Sequence, residues 1–471
     1  MWAIVLHALL GVAARYQPAL CTAWFVTVAT VGVADILRHR DRDDRAALWV
    51  LYLCAFEIVY RMGRAYLLWE MGKYFCMAAL LAGILARPDQ FRRGGVFVWL
   101  FFLLIPGAAV SLYYGDNDPV YLRKLILQHL SGPLTLVLSG WYFYRRPVAD
   151  ERLKMLLQAA VWPMISVLVL LFLGKKVSEI SFATVSNAAA SGGFGANQVS
   201  TALGFGVALL AYARFRGWRL SGFALLDWLL LALLLYRCIL TFSRGGLYAS
   251  VGAVLLAFLV TYASTSAWRR QFGRLFVRLS LFVMLLVAAI WQINQVTKNA
   301  LWLRLQGKTM FETKQGYRIQ EDKQGYLTNR GSLMRNELTA FSEYPFWGVG
   351  AGRGTLYRQE RFARKFASHT EHTRLLGEHG IFGVLILLCF YVLMPLRHFL
   401  RLLTPEQRFW FVLWFVLANA TMFHAQMRLS MPGVVFGLAF VSMAAAGALT
   451  GKHPDTPASS RKEPRPYSLP R

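Results

Sequence analysis

The chain has 471 residues, of which 56% are apolar and only 16% are charged. An ordinary soluble domain carries about 25% charged residues, and a soluble protein this apolar would expose patches larger than soluble proteins tolerate. The composition therefore excludes a soluble enzyme, a disordered protein and a fibrous one. The formal net charge of +27 comes from short basic clusters between apolar runs, which is typical of membrane loops rather than of a nucleic-acid-binding face.

Long apolar runs recur along the whole chain. Because a membrane-spanning helix needs about 20 mostly apolar residues, they predict an all-α polytopic membrane protein with about 12 spans. Weaker runs at 2–15 and 47–61 raise the number to about 14 if each crosses the membrane. The clear runs lie at 18–37, 67–86, 95–114, 122–144, 155–174, 197–213, 220–241, 245–265, 279–296, 380–396, 409–426 and 432–450.

Basic clusters occupy every second gap between these runs, which predicts that those gaps and both termini face the cytoplasm. The clusters lie near 38–45, 87–93, 145–154, 214–219, 269–278, 397–408 and 452–465. We expect four regions: N-terminal transmembrane helices at 1–296, an extracytoplasmic loop at 297–379, C-terminal transmembrane helices at 380–450 and a disordered cytoplasmic tail at 451–471, which is rich in Pro and Ser.

The 297–379 loop is too long to be a simple connector, and loops of this length usually carry function. It is also basic, and Arg318 is among its cations. A basic surface next to a membrane indicates an anionic partner, of which phosphate-bearing lipids are the obvious class. For most of these residues a solvated charge run is the simpler interpretation.

Near the end of the loop, Ser368 and Glu371 have the spacing of a capping box before an apolar helix that ends at Gly380. His369 would then lie in the first turn, where the helix dipole disfavours the imidazolium form. A neutral imidazole is what a general base needs near pH 7. The alternative is an ordinary surface histidine.

His372 and His379 follow on the same predicted helix. Together with His369 they leave a metal site open, although no HExxH spacing is present. We assign His372 to supporting the site or binding substrate. We predict no metal and no cofactor.

Ser243-Arg244-Gly245-Gly246 interrupts two apolar runs. An arginine at a membrane boundary is costly unless it has a function, and glycines let a ligand approach the backbone. By the predicted orientation, Arg244 lies on the same side as the long loop. A snorkelling arginine at the end of a span is the alternative.

Residues 330–344 predict a helix with Met334, Leu338 and Phe341 on one stripe. Arg330 lies at the start of that stripe, so it should be on the buried face and should have an anionic partner. We predict that Arg335 and Glu337, which lie off the stripe, are surface charges. A glycine-rich turn follows at 345–352. Elsewhere, Arg64 and Arg123 are candidates for contacts with lipid phosphate.

The segment from His369 to Gly383 resembles the signature of the O-antigen ligase family, which has a histidine, an apolar helix and then Glu-x-Gly-x-x-Gly. Pro345-Phe346-Trp347-Gly348-Val349-Gly350 resembles the family's Pro-x-x-Gly-x-Gly turn, and Arg330 matches its arginine. Ser243-Arg244-Gly245 matches its Ser-Arg-Gly element, and Gly193-Phe194 to Asn197 resembles its Gly-x-Phe…Asn segment. Thr370 and His372 depart from the pattern.

This resemblance implies a glycosyltransferase of the inner membrane with its site on the periplasmic side. The donor is a polysaccharide on undecaprenyl diphosphate, and the acceptor is a hydroxyl of the lipid A–core oligosaccharide. It implies His369 as the general base and Arg244 and Arg330 as the residues that hold the diphosphate, in an inverting reaction without metal. Arg318, Asn197, His372, Arg64 and Arg123 are the candidate substrate contacts.

Other functions stay open at this point. The superfamily also includes O-antigen polymerases and protein O-oligosaccharyltransferases, although the chain's size and its single late loop favour a ligase. A transporter or channel would explain the spans and the buried charges, but it explains neither the long basic loop nor its histidine, and no transporter-type repeat is evident. An intramembrane protease would need HExxH or GxSxG, which the sequence lacks.

Overall fold

The computed structural model describes residues 2–114, 119–182, 186–264, 272–306, 308–313, 316–321, 328–363 and 367–444. Most of these residues are helical, as the all-α prediction requires. The tail predicted to be disordered, 451–471, lies outside the described residues.

Twelve of the described helices precede the long loop. They are α1 (Trp2–Tyr16), α2 (Pro18–Arg38), α3 (Arg45–Met62), α4 (Met71–Leu85), α5 (Pro88–Gly94), α6 (Phe97–Tyr113), α7 (Pro119–Phe143), α8 (Asp150–Phe172), α9 (Ala196–Arg216), α10 (Ala224–Leu240), α11 (Arg244–Ser264) and α12 (Phe272–Val296). Single 3-10 turns lie at Arg42–Asp44, Val177–Glu179 and Ala189–Ser191.

The long loop and the segment after it contain the remaining described elements. The helices are α13 (Ala300–Leu305), α14 (Thr328–Glu343), α15 (Gly354–Phe362), α16 (Glu371–His379), α17 (Ile381–Leu400, π-helical over Leu387–Leu393), α18 (Pro405–Ala425) and α19 (Met431–Leu438). Strand β1 (Pro147–Ala149) pairs in parallel with β4 (Ser442–Ala444), and β2 (Lys308–Thr313) pairs antiparallel with β3 (Gly316–Glu321), with Phe311 opposite Arg318.

Among the described residues, five helices are long and apolar enough to cross a membrane: α2, α8, α11 up to Thr261, α12 from Gly273, and α17. The number becomes six if α5 and α6, which are bent by 61°, form one span. The chain is thus a multi-pass helical protein by length and composition. The predicted number of about 12 spans stays a prediction, since some of the remaining runs form shorter helices or contain many polar residues.

Buried polar contacts join the basic gaps at one end of the helix bundle. Arg146, in the gap after α7, donates to Asp41 and Asp44, in the gap after α2, at 2.6 Å each. Arg93 also reaches the carbonyl oxygen of Arg145, at 3.3 Å. Gaps that the charge pattern assigns to one side of the membrane are therefore neighbours in the fold.

Helix α9 lies in the middle of the bundle, between α8, α10, α11 and α18. Nearly all its residues are buried, and a helix that is apolar all round is expected to be enclosed in this way. Small residues allow the closest approach: a Cβ on Gly204 would lie 2.5 Å from the carbonyl oxygen of Gly246 in α11. This crossing brings the beginning of α9 next to the beginning of α11.

Candidate catalytic site

Helix α14 places Glu337 in the centre of a buried polar cluster, so the prediction that it is a surface charge is wrong. Its carboxylate accepts hydrogen bonds from Arg358 Nη1 at 3.1 Å and from the hydroxyls of Thr370 and Thr373 at 3.2 and 2.5 Å. Burial raises the pKa of the Glu337 carboxyl above its ordinary value. The cluster joins α14, α15 and α16, and it fixes the backbone immediately after His369.

The predicted apolar stripe of this helix is also wrong. Leu338 is 43% exposed, whereas Leu333 and Ala340 are buried on the same side as Glu337. The buried face is rotated because Glu337 finds a charged partner inside the protein, which hydrophobic periodicity does not reveal. Arg335 is exposed, as predicted.

The glycine-rich turn at 345–352 wraps around the carboxyl end of α16. The amide of Val349 donates to the carbonyl oxygen of Gly377 at 2.9 Å, and that of Gly352 donates to the Glu378 carboxylate at 2.8 Å. A Cβ on Gly348, where φ is +70°, would lie 2.4 Å from the carbonyl carbon of Glu378. These glycines therefore serve close packing within the protein.

The same turn is attached to the apolar helix α6. The amide of Ala351 donates to the carbonyl oxygen of Gly107 at 2.8 Å, and Ser111 Oγ donates to the carbonyl oxygen of Ala351 at 2.8 Å. These two hydrogen bonds attach the glycine-rich turn, and with it the long loop, directly to the helix bundle.

Helix α16 begins at Glu371, so His369 precedes the helix instead of lying in its first turn. Thr370 is the residue before the first turn and makes no side-chain capping bond. Ser368 Oγ donates to the Thr370 carbonyl oxygen at 3.0 Å and accepts from its amide at 3.3 Å. The predicted capping box is therefore wrong, whereas the predicted end of the helix at Gly380, with φ +57°, is confirmed.

Glu371 is occupied by Arg374, which lies between two carboxylates on one face of α16. Arg374 Nε donates to Glu371 at 3.2 Å, and its Nη1 donates to Glu378 at 2.7 Å. All three side chains are buried. Although burial opposes ionisation, the Arg374 guanidinium holds the pKa of the Glu378 carboxyl below its ordinary value.

The three histidines of this segment, His369, His372 and His379, lie in different surroundings. The His372 ring contacts Asn419 Oδ1 at 3.3 Å and packs edge-on against Tyr391. Burial lowers the pKa of His372, and it lowers that of His379 to about 4, so both rings are neutral near pH 7. His379 packs against Gly107 of α6, where a Cβ would lie 2.2 Å from its Nδ1. His369 is half-buried.

The Ser243-Arg244 element meets the Asn197 segment, as their shared assignment to one site requires. Ser243 Oγ donates to Asn197 Oδ1 at 3.0 Å, and Ser200 Oγ donates to Ser243 Oγ at 2.9 Å. Arg244 begins α11 and is half-buried.

Because Gly245 and Gly246 have no side chain, other parts of the protein pack closely against the beginning of α11. Their small size therefore does not serve a ligand alone. A Cβ on Gly245 would lie 2.2 Å from the His424 ring, and one on Gly246 would lie 2.1 Å from the carbonyl oxygen of Ser200. The two glycines are thus required for packing of α11 against α18 and α9.

The other predicted site residues are dispersed. Arg64 is exposed, with φ +52°, in the connection from α3 to α4, and Arg123 is exposed on α7. Arg330 lies in the first turn of α14 and Arg318 on β3, but their side chains are outside the described part of the structure. For these four residues, substrate contact stays a prediction.

A polar cavity of about 340 Å³ lies beside the segment that carries His369. Ala367 forms part of its wall, and Arg428 Nη2, from the same wall, donates to the carbonyl oxygen of Ser368 at 3.0 Å. The lining comes from helices α4, α7, α9 and α16, from the connections before α4 and before α16, and from the connection after α18. It consists of Trp69, Glu70, Lys73, Gln128, His129, Gln198, Ala367, Glu371, Arg374, Gln426, Met427 and Arg428.

Two buried charges hold the wall of this cavity in place. Glu57 in α3 accepts hydrogen bonds from the amide and the hydroxyl of Ser430, at 2.6 Å each, and so fixes the connection that carries Arg428. Arg61 Nη2 donates to Glu57 at 2.5 Å, and Arg61 Nη1 donates to Gln198 Oε1 at 3.1 Å. This pair therefore connects α3 to α9 and to the segment before α19.

Sequence reasoning missed Glu337, Arg358 and Arg374 in the loop and Lys73 and Arg428 in the cavity wall. The spacing of Glu371, Arg374 and Glu378, at i, i+3 and i+7, was an available signal, since such residues share one helical face. Glu70 and Lys73, at i and i+3, have a similar local spacing. No local pattern indicated Glu337, Arg358 or Arg428, because their partners are distant in sequence.

Comparison with known families finds one match: residues 229–388 match the family model described as O-antigen ligase. The matched range contains Ser243-Arg244, Arg330, the glycine-rich turn and the His369 segment. No curated protein matches the chain. Residues 229–388 are therefore similar to the O-antigen ligase family, within a chain whose helices are those of a multi-pass membrane protein.

Proposed function

We propose that this protein is an O-antigen ligase, a glycosyltransferase that moves O-antigen polysaccharide from undecaprenyl diphosphate to the lipid A–core oligosaccharide. The observation that carries the proposal is the His369 segment, which buried bonds from Ser368, Thr370 and Glu337 hold beside a polar cavity. The match of residues 229–388 to the O-antigen ligase family supports it.

In the proposed reaction His369 removes the proton from the acceptor hydroxyl. The resulting oxygen nucleophile attacks the anomeric carbon of the donor, the bond from that carbon to the diphosphate breaks, and undecaprenyl diphosphate leaves with inversion. Arg244 and Arg330 stabilise the negative charge that develops on the leaving group. The diphosphate is already an activated leaving group, so the reaction as proposed requires no metal.

Five further residues complete the proposed substrate site. Asn197 is in place beside Ser243, one residue from Arg244. His372 would support His369 from the first turn of α16. Arg64, Arg123 and Arg318 would contact lipid phosphate or glycan at the membrane surface.

We also propose that 297–379 is periplasmic in the bacterial inner membrane, with the helices at 1–296 and 380–450 spanning the membrane and the 451–471 tail in the cytoplasm. A cysteine at the exposed Gln359, in a variant without native cysteines, should react with an impermeant reagent once the outer membrane is permeabilised. A cysteine at the exposed Arg92 is the matched cytoplasmic control and should react only after the inner membrane is disrupted. The reverse pattern would contradict this orientation.

The proposed reaction is tested by transfer with purified components. The full chain in detergent should join glycan from undecaprenyl diphosphate to the lipid A–core acceptor. Elongation of the lipid-linked glycan instead would indicate a polymerase, and glycosylation of protein would indicate an oligosaccharyltransferase. Movement of the lipid-linked glycan across vesicles without transfer would indicate a transporter, and the proposal would be wrong.

A further inference from the structure

The polar cavity beside the His369 segment has the size of a small-ligand site. Its volume of about 340 Å³ falls within the range of ligand pockets, about 300–1,000 Å³. Helices α4, α7, α9 and α16 and three connections contribute to its wall, so it is a feature of the tertiary structure rather than of one loop.

Its wall presents many hydrogen-bonding groups but little net charge. Lys73 is buried, pairs with Glu70 and donates to Ser131 Oγ at 3.0 Å. Arg374 is balanced by Glu371 and Glu378. Buried ionisable residues within a helix bundle are expensive, and they indicate a functional site. Arg428, a further cation of the wall, is half-buried and donates to the carbonyl oxygen of Ser368 at 3.0 Å. Because Lys73 and Arg374 are paired with carboxylates, the wall suits a ligand with many neutral donors and acceptors better than a lone ion.

Two further features of the wall point to a ligand. Gln426 has φ +61° and ψ −166°, a conformation that is essentially restricted to glycine and that persists mainly at functional sites. Trp69 stands at the edge with 49% of its surface exposed, and Phe194 at 5.4 Å and the Arg61 guanidinium at 4.9 Å from the ring centroid fix the orientation of its ring. An exposed indole beside amide and charged groups offers both the apolar and the polar contacts that a sugar ring needs.

We propose that this cavity binds one sugar residue of a glycan substrate, next to the bond that is formed. The ligand class is a hydroxyl-rich pyranose, which is both donor and acceptor of hydrogen bonds and has apolar C–H faces. The inference rests on the proposed function. The sugar is either the first residue of the lipid-linked donor or the residue of the core that accepts it, and kinetics separates the two.

Two substitutions test the subsite without removing a buried charge. Ala367→Phe fills the cavity from an exposed wall position, and Gln128→Leu removes an exposed amide from the wall. Gln359→Phe adds the same bulk to an exposed position of α15 outside the cavity and is the matched control. Initial rates of the purified full chain are measured while the lipid-linked donor and the lipid A–core acceptor are varied in turn.

We expect Ala367→Phe to raise KM for one substrate at least tenfold and Gln128→Leu to raise KM for the same substrate by a smaller factor. KM for the other substrate and kcat should stay within twofold of the wild-type values. The Gln359→Phe control should keep all three constants within twofold of the wild type. A rise in the donor KM assigns the cavity to the donor sugar, and a rise in the acceptor KM assigns it to the acceptor. Unchanged KM values, or a fall in kcat alone, would overturn the subsite while wild-type transfer keeps the proposed function intact. Absence of transfer by the wild type would overturn both.

Discussion

Two polar clusters flank the candidate site, and they are built differently. The loop cluster, around Glu337, Arg358 and Arg374, consists of charged side chains that are almost fully buried and paired. The membrane cluster, around Asn197, Ser200 and Ser243, consists of neutral amide and hydroxyl groups. The predicted catalytic residues, His369 and Arg244, lie at the edges of these clusters and are only half-buried.

The difference indicates how each side of the site is held. Removing one partner of a buried ion pair leaves an uncompensated charge and costs about 3–5 kcal/mol, whereas a neutral hydrogen bond contributes about 1 kcal/mol. In the loop, the contacts of Glu337 with Arg358, Thr370 and Thr373 connect the short helices α14, α15 and α16. In the bundle, close packing at Gly204 and Gly246 already fixes the backbone.

The largest loss of transfer activity is expected from substitution of His369, at the edge of the loop cluster. His369→Ala should lower the rate of transfer by about 10²–10⁴-fold, as removal of a general base typically does. The variant should still fold and bind the lipid-linked donor. Single-turnover transfer across a pH series measures the effect.

His372→Ala is the matched comparison and should be milder, because the His372 ring contacts Asn419 and Tyr391 and takes a supporting role in the proposed site. An inactive His372→Ala with an active His369→Ala would mean that the base is assigned to the wrong histidine. EDTA should leave wild-type transfer unchanged, and reversible inactivation by EDTA would contradict the acid–base role.

Within the loop cluster, Arg374→Met should reduce the free energy of unfolding by about 3–5 kcal/mol, because it leaves Glu371 and Glu378 buried without their cation. Thermal unfolding of the purified protein in detergent measures it. Arg361→Met removes an exposed pair with Glu343 and should cost less than about 1 kcal/mol. Equal stabilities of the two variants would show that the buried pairs do not hold the loop.

Arg244→Ala and Arg330→Ala should each slow transfer by about 10²-fold, since removing a charged contact to a transition-state anion costs about 3 kcal/mol. Lys should rescue poorly where the contact is bidentate. Arg335→Ala, on the exposed face of α14, is the control and should have little effect. Normal rates in both alanine variants at normal expression would refute the diphosphate role.

The smallest effect is expected in the membrane cluster. Ser243→Ala removes the bonds to Asn197 and Ser200 and should cost about 1 kcal/mol of stability, with transfer reduced less than in Arg244→Ala. Ser250→Ala, whose hydroxyl donates to backbone carbonyl oxygens of its own helix, is the control. A loss of transfer as large as that of His369→Ala would mean that Ser243 itself takes part in the reaction.

The sequence by itself was sufficient to predict a helical membrane protein and the similarity of residues 229–388 to the O-antigen ligase family. Both depend on local patterns: apolar runs long enough to span a bilayer, and motifs such as Ser243-Arg244-Gly245 and the His369 segment. The end of α16 at Gly380 was also predictable, because a glycine with positive φ ends a helix through local geometry.

The tertiary structure alone decided which faces are buried and where the cavity lies. Glu337 looked like a surface charge because its partners, Arg358 and Thr370, are remote in sequence. The cavity could not be predicted for the same reason, because its wall combines Lys73 with Arg428, which is remote in sequence. Hydrophobic periodicity reports the average polarity of a residue's surroundings, but a buried charge is stable only through specific partners, and these exist only once the chain has folded.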